Sequence, residues 1–563
     1  MTAQIVNPVL PGFHPDPSIV RVGADYYIAT STFEWWPGVR IHHSTDLVHW
    51  QHHSYAITRK SQLDLTGHPD STGVWAPCLS HAHGQFWLIY TDVRSMVGAY
   101  KDTHNYLVTA PSIEGPWSEP VYLNSSGFDP SLFHDTAEEG GDGRSWFLNQ
   151  QWIHHPDKHA FNGILLQAFD RSSGKLVGPI KNIFKGTALG VVEGPHLYRR
   201  KGWYYLLTAE GGTSYEHAAT VARSRNIDGP YEVMPGNPLL TAHHSPSSGL
   251  QRAGHASWVQ TPQAEWYMAH LCGRPLEWTG PNAESATKPS RYASLHCNLG
   301  RETALQKLSW RDDDWPTLAS GGSMPATVVA APVASMAAAP TSPTAPSTYD
   351  GFDSPALSPH FNSLRLPVDE SWLSLTERPG HLRLRGRESL MSLFQQSLLA
   401  RRQQHHRCRA ETTLDFAPTG FHQMAGIAAY YNTSNHAYLH VSADTDADAD
   451  NAERVLRLII NRDGVLTEPT PLVVLPSTGA VRLALQFDHD QFHFEWALAG
   501  GAWQPIGHAM DSAFLSDEFA CRARDGYATS FGFTGSFIAL ACQDLGGTRL
   551  HADFDDFSYT FSG

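Results

Sequence analysis

The chain has no long apolar run. Nowhere in its 563 residues do about 20 hydrophobic residues stand together, the length a helix needs to span a bilayer. Met1 to Asn7 carry neither a basic stretch nor an apolar core, so no secretory signal is expected. Cysteine is sparse and scattered: Cys78, Cys272, Cys297, Cys408, Cys521 and Cys542, with no Cys-x-x-Cys spacing. That argues against a zinc site or a disulfide framework and predicts reduced, mostly buried thiols. Positive charge is also short. Lys and Arg number 40 against 55 Asp and Glu, a formal net charge of −15, which speaks against nucleic acid or an anionic membrane as partner. Together these absences predict a cytoplasmic protein with a neutral, polar ligand. Aromatic residues are plentiful instead, with 17 Trp. Some must be core, and the excess suits a site where flat faces stack on sugar rings.

The aromatic residues recur. Asp25-Tyr26-Tyr27-Ile28, Gln85-Phe86-Trp87-Leu88, Ser145-Trp146-Phe147-Leu148, Gly202-Trp203-Tyr204-Tyr205 and Glu265-Trp266-Tyr267-Met268 are alike, spaced by about 60 residues. Each follows a second recurring element: Asp16-Pro17-Ser18-Ile19, Ala76-Pro77-Cys78-Leu79, Asp129-Pro130-Ser131-Leu132, Glu193-Gly194-Pro195-His196-Leu197 and His255-Ala256-Ser257-Trp258. Short Tyr-, Trp- and Ile-rich runs bounded by Gly or polar residues are strand chemistry. Each unit has room for four strands, and four-stranded units set radially make a β-propeller. Five blades fill residues 1–318. A linear solenoid would need polar end caps, and none is evident.

Equivalent positions in a ring face one axis. The lead residues Asp16, Ala76, Asp129, Glu193 and His255 are therefore expected around one cavity. Any single Asp-Pro is a common turn, but three acids at one repeat position point to chemistry. Two carboxyl groups across a cavity can cleave a glycosidic bond, and an inverting enzyme holds them roughly 6.5–9.5 Å apart, with room for a water. Units three and four are neighbours, so Asp129 and Glu193 should lie close. Asp16 stands farther from Glu193, because unit five intervenes. A carboxyl beside another has its pKa raised, which makes Glu193 the proton donor and Asp16 the base. His255 is open between contacting substrate, bonding to the acids, holding a cation or water, and simple packing.

Residues 319–347 are rich in Ala, Ser and Pro and read as an extended spacer. From 348 to 563 apolar and polar residues alternate, as in Arg454-Val455-Leu456-Arg457-Leu458 and Val481-Arg482-Leu483-Ala484-Leu485. About a dozen such runs suggest a two-sheet β-sandwich. The acidic run Asp444–Asp450 lacks the Gly and terminal Glu of an EF-hand and reads as a solvated hairpin loop.

At this point a resemblance emerges. Asn7-Pro8-Val9-Leu10-Pro11-Gly12-Phe13-His14-Pro15-Asp16-Pro17-Ser18, Thr32-Phe33-Glu34-Trp35, Val74-Trp75-Ala76-Pro77, Gly127-Phe128-Asp129-Pro130, Val192-Glu193-Gly194-Pro195-His196 and Leu299-Gly300-Arg301-Glu302-Thr303 resemble glycoside hydrolase family 43. Within it the chain is similar to two-domain β-xylosidases, over nearly its whole length. The resemblance implies an all-β protein, a five-bladed propeller followed by a concanavalin-like sandwich. It implies inversion, with Asp16 as base, Glu193 as acid and Asp129 tuning and orienting the acid. It makes Phe33, Trp75 and Trp152 pocket walls, although the segment before Trp152 departs from the family pattern by an insertion at Glu138 to Arg144. It makes His255 and Arg301 polar contacts to the sugar. It also brings a sandwich aromatic over the pocket. Thr534-Gly535-Ser536-Phe537 is the nearest match, giving Phe537, with Phe533 the competing choice. No cofactor is implied as required, though some relatives hold a divalent cation such as calcium near the histidine matching His255. The implied activity releases xylose from the non-reducing end of short β-1,4-xylo-oligosaccharides, with α-L-arabinofuranosidase activity beside it, in a homo-oligomer. The alternatives are an arabinofuranosidase or arabinanase, or a non-catalytic sugar-binding propeller. The last predicts loss of an acid, and all three acids are present.

Overall fold

A computed structural model describes residues 3–137, 140–155, 157–278, 292–333, 347–444, 452–524 and 527–562. Five antiparallel sheets, four of them four-stranded and one five-stranded, form the first domain. Their innermost strands are Ser18–Val22, Gly73–Ala82, Ser131–His134, Glu193–Arg200 and Gln251–Gln260. Next outward lie Asp25–Thr30, Gln85–Ser95, Ser145–Trp152, Trp203–Glu210 and Trp266–Gly273, the aromatic runs of the repeat. These second strands are apolar on both faces because each blade is sandwiched between two others. Side chains two apart share a face. Thus Phe86, Leu88 and Tyr90 pack toward blade one, while Trp87 and Ile89 pack toward blade three. In blade four, Leu206 meets blade three and Tyr205 and Leu207 meet blade five.

Ile19, Tyr26 and Ile28 of blade one pack on Val259, Tyr267 and Ala269 of blade five, closing the ring. A solenoid has no such contact between first and last repeats. The seam is tied by Ser257, whose hydroxyl donates to Pro17 O (2.7 Å) and accepts from Ile19 N–H (3.0 Å). Gln4–Val6 pairs with Val328–Ala330, Ile5 opposite Val329. Residues 319–333, read from composition as the start of a spacer, therefore fold with the propeller. Their apolar Val329 and Ala331 are buried beside Ile5. The Pro-rich residues 334–346 lie outside the described residues, as do 445–450 of the acidic run.

The second domain is a sandwich of two large antiparallel sheets around one apolar core that includes Leu382, Leu456, Phe494, Leu540 and Phe554. One sheet takes its last strand from the propeller. Trp35–Trp36 pairs with Phe361–Leu364, Trp35 opposite Leu364 and Trp36 opposite Ser363. The domains then share a second apolar core, in which Phe13, Phe33 and Trp35 meet Leu398, Ala400, Tyr430 and Phe537. All six cysteines are unpaired. Among the described residues no helix is long and apolar enough to cross a membrane.

Candidate active site

The lead position of the repeat has a distinctive backbone. Asp16, Ala76, Asp129 and His255 all have positive φ, at 55°, 37°, 53° and 43°. Non-glycine residues rarely adopt this conformation, and it concentrates at functional sites. In blade four the residue with positive φ is Gly194, at 55°. Its follower Pro195 matches Pro17, Pro77 and Pro130. Glu193 therefore stands one residue before the lead position, in line with Trp75 and Phe128. Reading Glu193 as the equivalent of Asp16 was off by one residue. Either of two successive positions lines the cavity, and in blade three both Phe128 and Asp129 do, because the left-handed residue breaks the strand ladder there. Pairing shifts between Trp75 and Cys78, Glu193 and His196, and Gly254 and Ala256.

Asp16, Asp129, Glu193, His255 and Arg301 line one cavity of about 300 Å³. Asp16 accepts from the Ser31 hydroxyl at 2.6 Å and from Arg301 Nη1 at 3.2 Å. Asp129 accepts from Gly194 N–H at 3.1 Å, which ties it to the residue beside Glu193. The Nδ1 of His255 lies 3.8 Å from Asp16 and 4.0 Å from Asp129. Arg301 also donates to Thr213 Oγ1 at 3.0 Å. Its buried Nε and Nη2 have no protein partner.

These surroundings separate the carboxyl groups. Burial pushes Asp16 up, but Arg301, His255 and the Ser31 hydrogen bond outweigh it and hold Asp16 below the usual carboxylate range. Burial raises Glu193 well above its ordinary value, and the charges of Asp129 and Asp16 add to this against the pull of Arg301 and Lys101. Asp129 is also raised, chiefly by burial and then by Asp16, with His255 and Gly194 N–H opposing. The two shifts run in opposite directions, Asp16 toward its ionised form and Glu193 toward its protonated one, the separation an acid–base pair needs.

Phe33 and Trp75 line the cavity together with Phe128, Phe161, Phe531 and Phe533. The last two come from the sandwich, and Ser71 of the propeller clamps their loop. Its hydroxyl donates to Phe531 O (3.0 Å) and accepts from Phe533 N–H (3.3 Å). Two expectations are corrected. Phe537 is fully buried and stacks on Trp35 with centroids 3.8 Å apart, because it opens a sheet strand at the domain interface. Phe533, four residues earlier in the loop, is the ring over the pocket, 4.9 Å from the Arg301 guanidinium. Trp152 stands behind the wall. It packs on Phe161 at 5.3 Å, donates its indole N–H to Ala99 O at 2.9 Å, and lies under the Lys101 ammonium at 4.4 Å.

Lys101, Thr213, Ser214, Arg252, Asp517 and Glu518 also line the cavity and were not legible from the repeats. Burial lowers Lys101 to about 8, partly offset by Glu193. Asp517 and Glu518 belong to the sandwich. Asp517 accepts from Arg252 of the propeller at 2.8 Å, from the Tyr431 hydroxyl at 2.8 Å and from Gly535 N–H at 3.0 Å. Both domains therefore build the pocket. Among the described residues no three His, Cys, Asp or Glu side chains are grouped as ligands of a metal ion. A cation at His255 would have to draw most of its ligands from water.

Residues 5–316 match the family model "Glycosyl hydrolases family 43", and residues 349–560 match "Beta xylosidase C-terminal Concanavalin A-like domain". The chain belongs to glycosyl hydrolase family 43. Among similar family members, a xylosidase/arabinosidase 43B of Humicola insolens is 50% identical over 99% of this chain and 97% of its own length. A β-xylosidase of Bacillus subtilis (strain 168) is 47% identical, covering 99% of each chain. The crystal structure of a xylan β-1,4-xylosidase from Bacillus halodurans C-125 superposes with a TM-score of 0.90 at 50% identity, over 99% of this chain and 100% of that one.

Proposed function

We propose that this family 43 glycosidase is an inverting, exo-acting β-xylosidase that removes xylose from the non-reducing end of short xylo-oligosaccharides. The observation that carries this reading is the environment of the two acids in a pocket roofed by the second domain. Asp16, ionised and held by Ser31 and Arg301, takes a proton from the water that attacks the anomeric carbon. Glu193, kept protonated by burial and by its acidic neighbours, gives its proton to the leaving oxygen. Asp129 holds Gly194 N–H and so fixes the backbone that carries Glu193. Arg301, whose Nε and Nη2 lack a protein partner, is the polar contact to the terminal sugar. The Phe531–Phe533 roof favours chain ends over an open-groove, endo-type arabinanase.

The same pocket, with its aromatic walls and the Arg301 guanidinium, is compatible with an α-L-arabinofuranoside, and the name of the Humicola relative supports that second activity. A cytoplasmic setting, in keeping with six unpaired thiols, and assembly as a homo-oligomer complete the reading. Light scattering tests the assembly. The central test is proton NMR of the purified protein cleaving xylobiose. α-Xylose is the expected first product, and β-xylose as the first product overturns inversion. Parallel assays on 4-nitrophenyl β-xyloside and α-arabinofuranoside, with and without chelator, rank the two activities and show whether a cation at His255 contributes.

A further inference from the structure

A second cluster of titratable groups lies where blade one meets the sandwich, and the hydrolysis does not use it. It contains His14, His42, His52, Arg40 and Arg402. Four of these are nearly inaccessible: His14 is 3% exposed, His42 4%, Arg40 5% and Arg402 3%. The rings of His14 and His42 meet edge to face with centroids 4.8 Å apart, and His42 stands 6.3 Å from His52. Arg40 donates to the Tyr55 hydroxyl (2.8 Å) and Pro359 O (3.0 Å). Arg402 donates to Phe13 O (2.8 Å) and to the Asn362 side chain. Every one of these partners is neutral. Among the described residues, neither guanidinium has a carboxylate partner.

Donor capacity is also left over. Arg40 Nε, Arg402 Nη2, His42 Nδ1 and His52 Nε2 are buried and bonded to nothing in the protein. His14 uses Nδ1 toward Pro11 O at 3.2 Å, which leaves Nε2 a lone pair without a donor. Burial of an uncompensated ion costs several kcal/mol even after relaxation, and buried donors without acceptors add to it. Two guanidinium groups in one nest therefore call for a negative charge. The other groups facing them, Tyr55, Asn362 and the exposed His360, supply none.

We propose that this nest binds a small monovalent inorganic anion, chloride under cellular conditions, at the seam between the two domains. Arg40 Nε–H, Arg402 Nη2–H and the imidazole N–H groups of His42 and His52 donate to it. A water beside it donates to His14 Nε2. Burial first, and then the nearby guanidinium groups and imidazoles, hold His14 and His42 well below the usual histidine range, in keeping with positive potential that lacks a counter-charge. Arg402 also holds Phe13 O, three residues before the base, so the ion braces the segment that delivers Asp16.

The test is crystallographic and needs no variant. Crystals of the full chain soaked in sodium bromide are measured at the bromine edge. An anomalous peak within hydrogen-bonding distance of Arg402 Nη2 and Arg40 Nε is expected. Water alone at that position, or a peak only at surface sites, overturns the proposal. In solution, the unfolding temperature is expected to rise saturably with chloride relative to sodium gluconate of equal ionic strength, and His42→Leu should blunt the rise. An identical response to both salts in the wild-type protein also overturns it.

Discussion

Phe533 and Phe537 are four residues apart, and their substitutions should fail in different ways. In Phe533→Ala the pocket loses the ring that faces the Arg301 guanidinium at 4.9 Å and touches Phe33 and Trp75 at centroid distances of 5.8 and 5.7 Å. Phe533 is only partly buried in the free protein, so its removal leaves little cavity in the core. The lost contribution is that of one large apolar side chain closing on the sugar, about 1–3 kcal/mol. If all of it is felt in the transition state, kcat/KM on xylobiose falls about 5- to 150-fold. The unfolding midpoint should hardly move. In Phe537→Ala the ring stacked on Trp35 disappears from a fully buried interface. A Phe→Ala cavity of this kind costs about 3–5 kcal/mol, read as a lower denaturation midpoint, while the kcat/KM of the folded fraction stays near wild type. The assay is kcat/KM on xylobiose beside urea unfolding of each variant. The reverse pattern, full activity without Phe533 and lost activity with unchanged stability without Phe537, would refute this placement of the roof.

Asp16→Asn should lower turnover at least 10²–10⁴-fold on every substrate, the usual scale of general acid–base catalysis, with the far-UV spectrum unchanged; near-normal turnover rules Asp16 out as base. Glu193→Gln should cost far more on xylobiose than on 4-nitrophenyl β-xyloside, whose leaving group needs little protonation, and equal losses on the two remove Glu193 from the acid's role. The kcat/KM profile of the wild type should be bell-shaped, rising through the low pKa of Asp16 and falling through the high pKa of Glu193. Asp129→Asn removes a negative charge beside Glu193, so the alkaline limb should move to lower pH, and a fixed limb would mean the two do not couple. Asp517→Leu takes from the buried Arg252 its nearer carboxylate and leaves it Glu518 at 3.8 Å, so it should cost stability by up to about 3–5 kcal/mol, measured as a lower unfolding midpoint; an unchanged midpoint would show that the bond between domains carries no weight.

The repeats made the ring legible because a blade must present one apolar face to each neighbour, and that requirement writes the same alternating aromatic strand five times. The same logic placed Asp16, Asp129 and His255 at the axis. It misplaced Glu193 by one residue because the lead position was matched on acid type, whereas the proline that follows the left-handed residue marks the true register. Phe537 was chosen by its place in a short motif, and only the sheet shows that a strand begins there and turns its ring into the interface. Lys101, Asp517 and Glu518 were invisible for another reason. They reach the pocket from a loop and from another domain, outside any periodic pattern. Arg301 and Trp75 came from family motifs, since nothing in spacing alone distinguishes a wall residue from a core one.

The pairing of Trp35–Trp36 with Phe361–Leu364 bears on modularity. A domain that completes its own sheets can be moved between genes as a unit. This sandwich borrows a strand from blade one, and the loop it offers in return roofs the catalytic pocket. Swapping either half for one from a different protein would leave a raw sheet edge on one side and an unroofed pocket on the other. The two halves are therefore bound to change together in evolution. During synthesis the propeller, made first, also stands ready as the template on which Phe361–Leu364, an early strand of the sandwich, aligns.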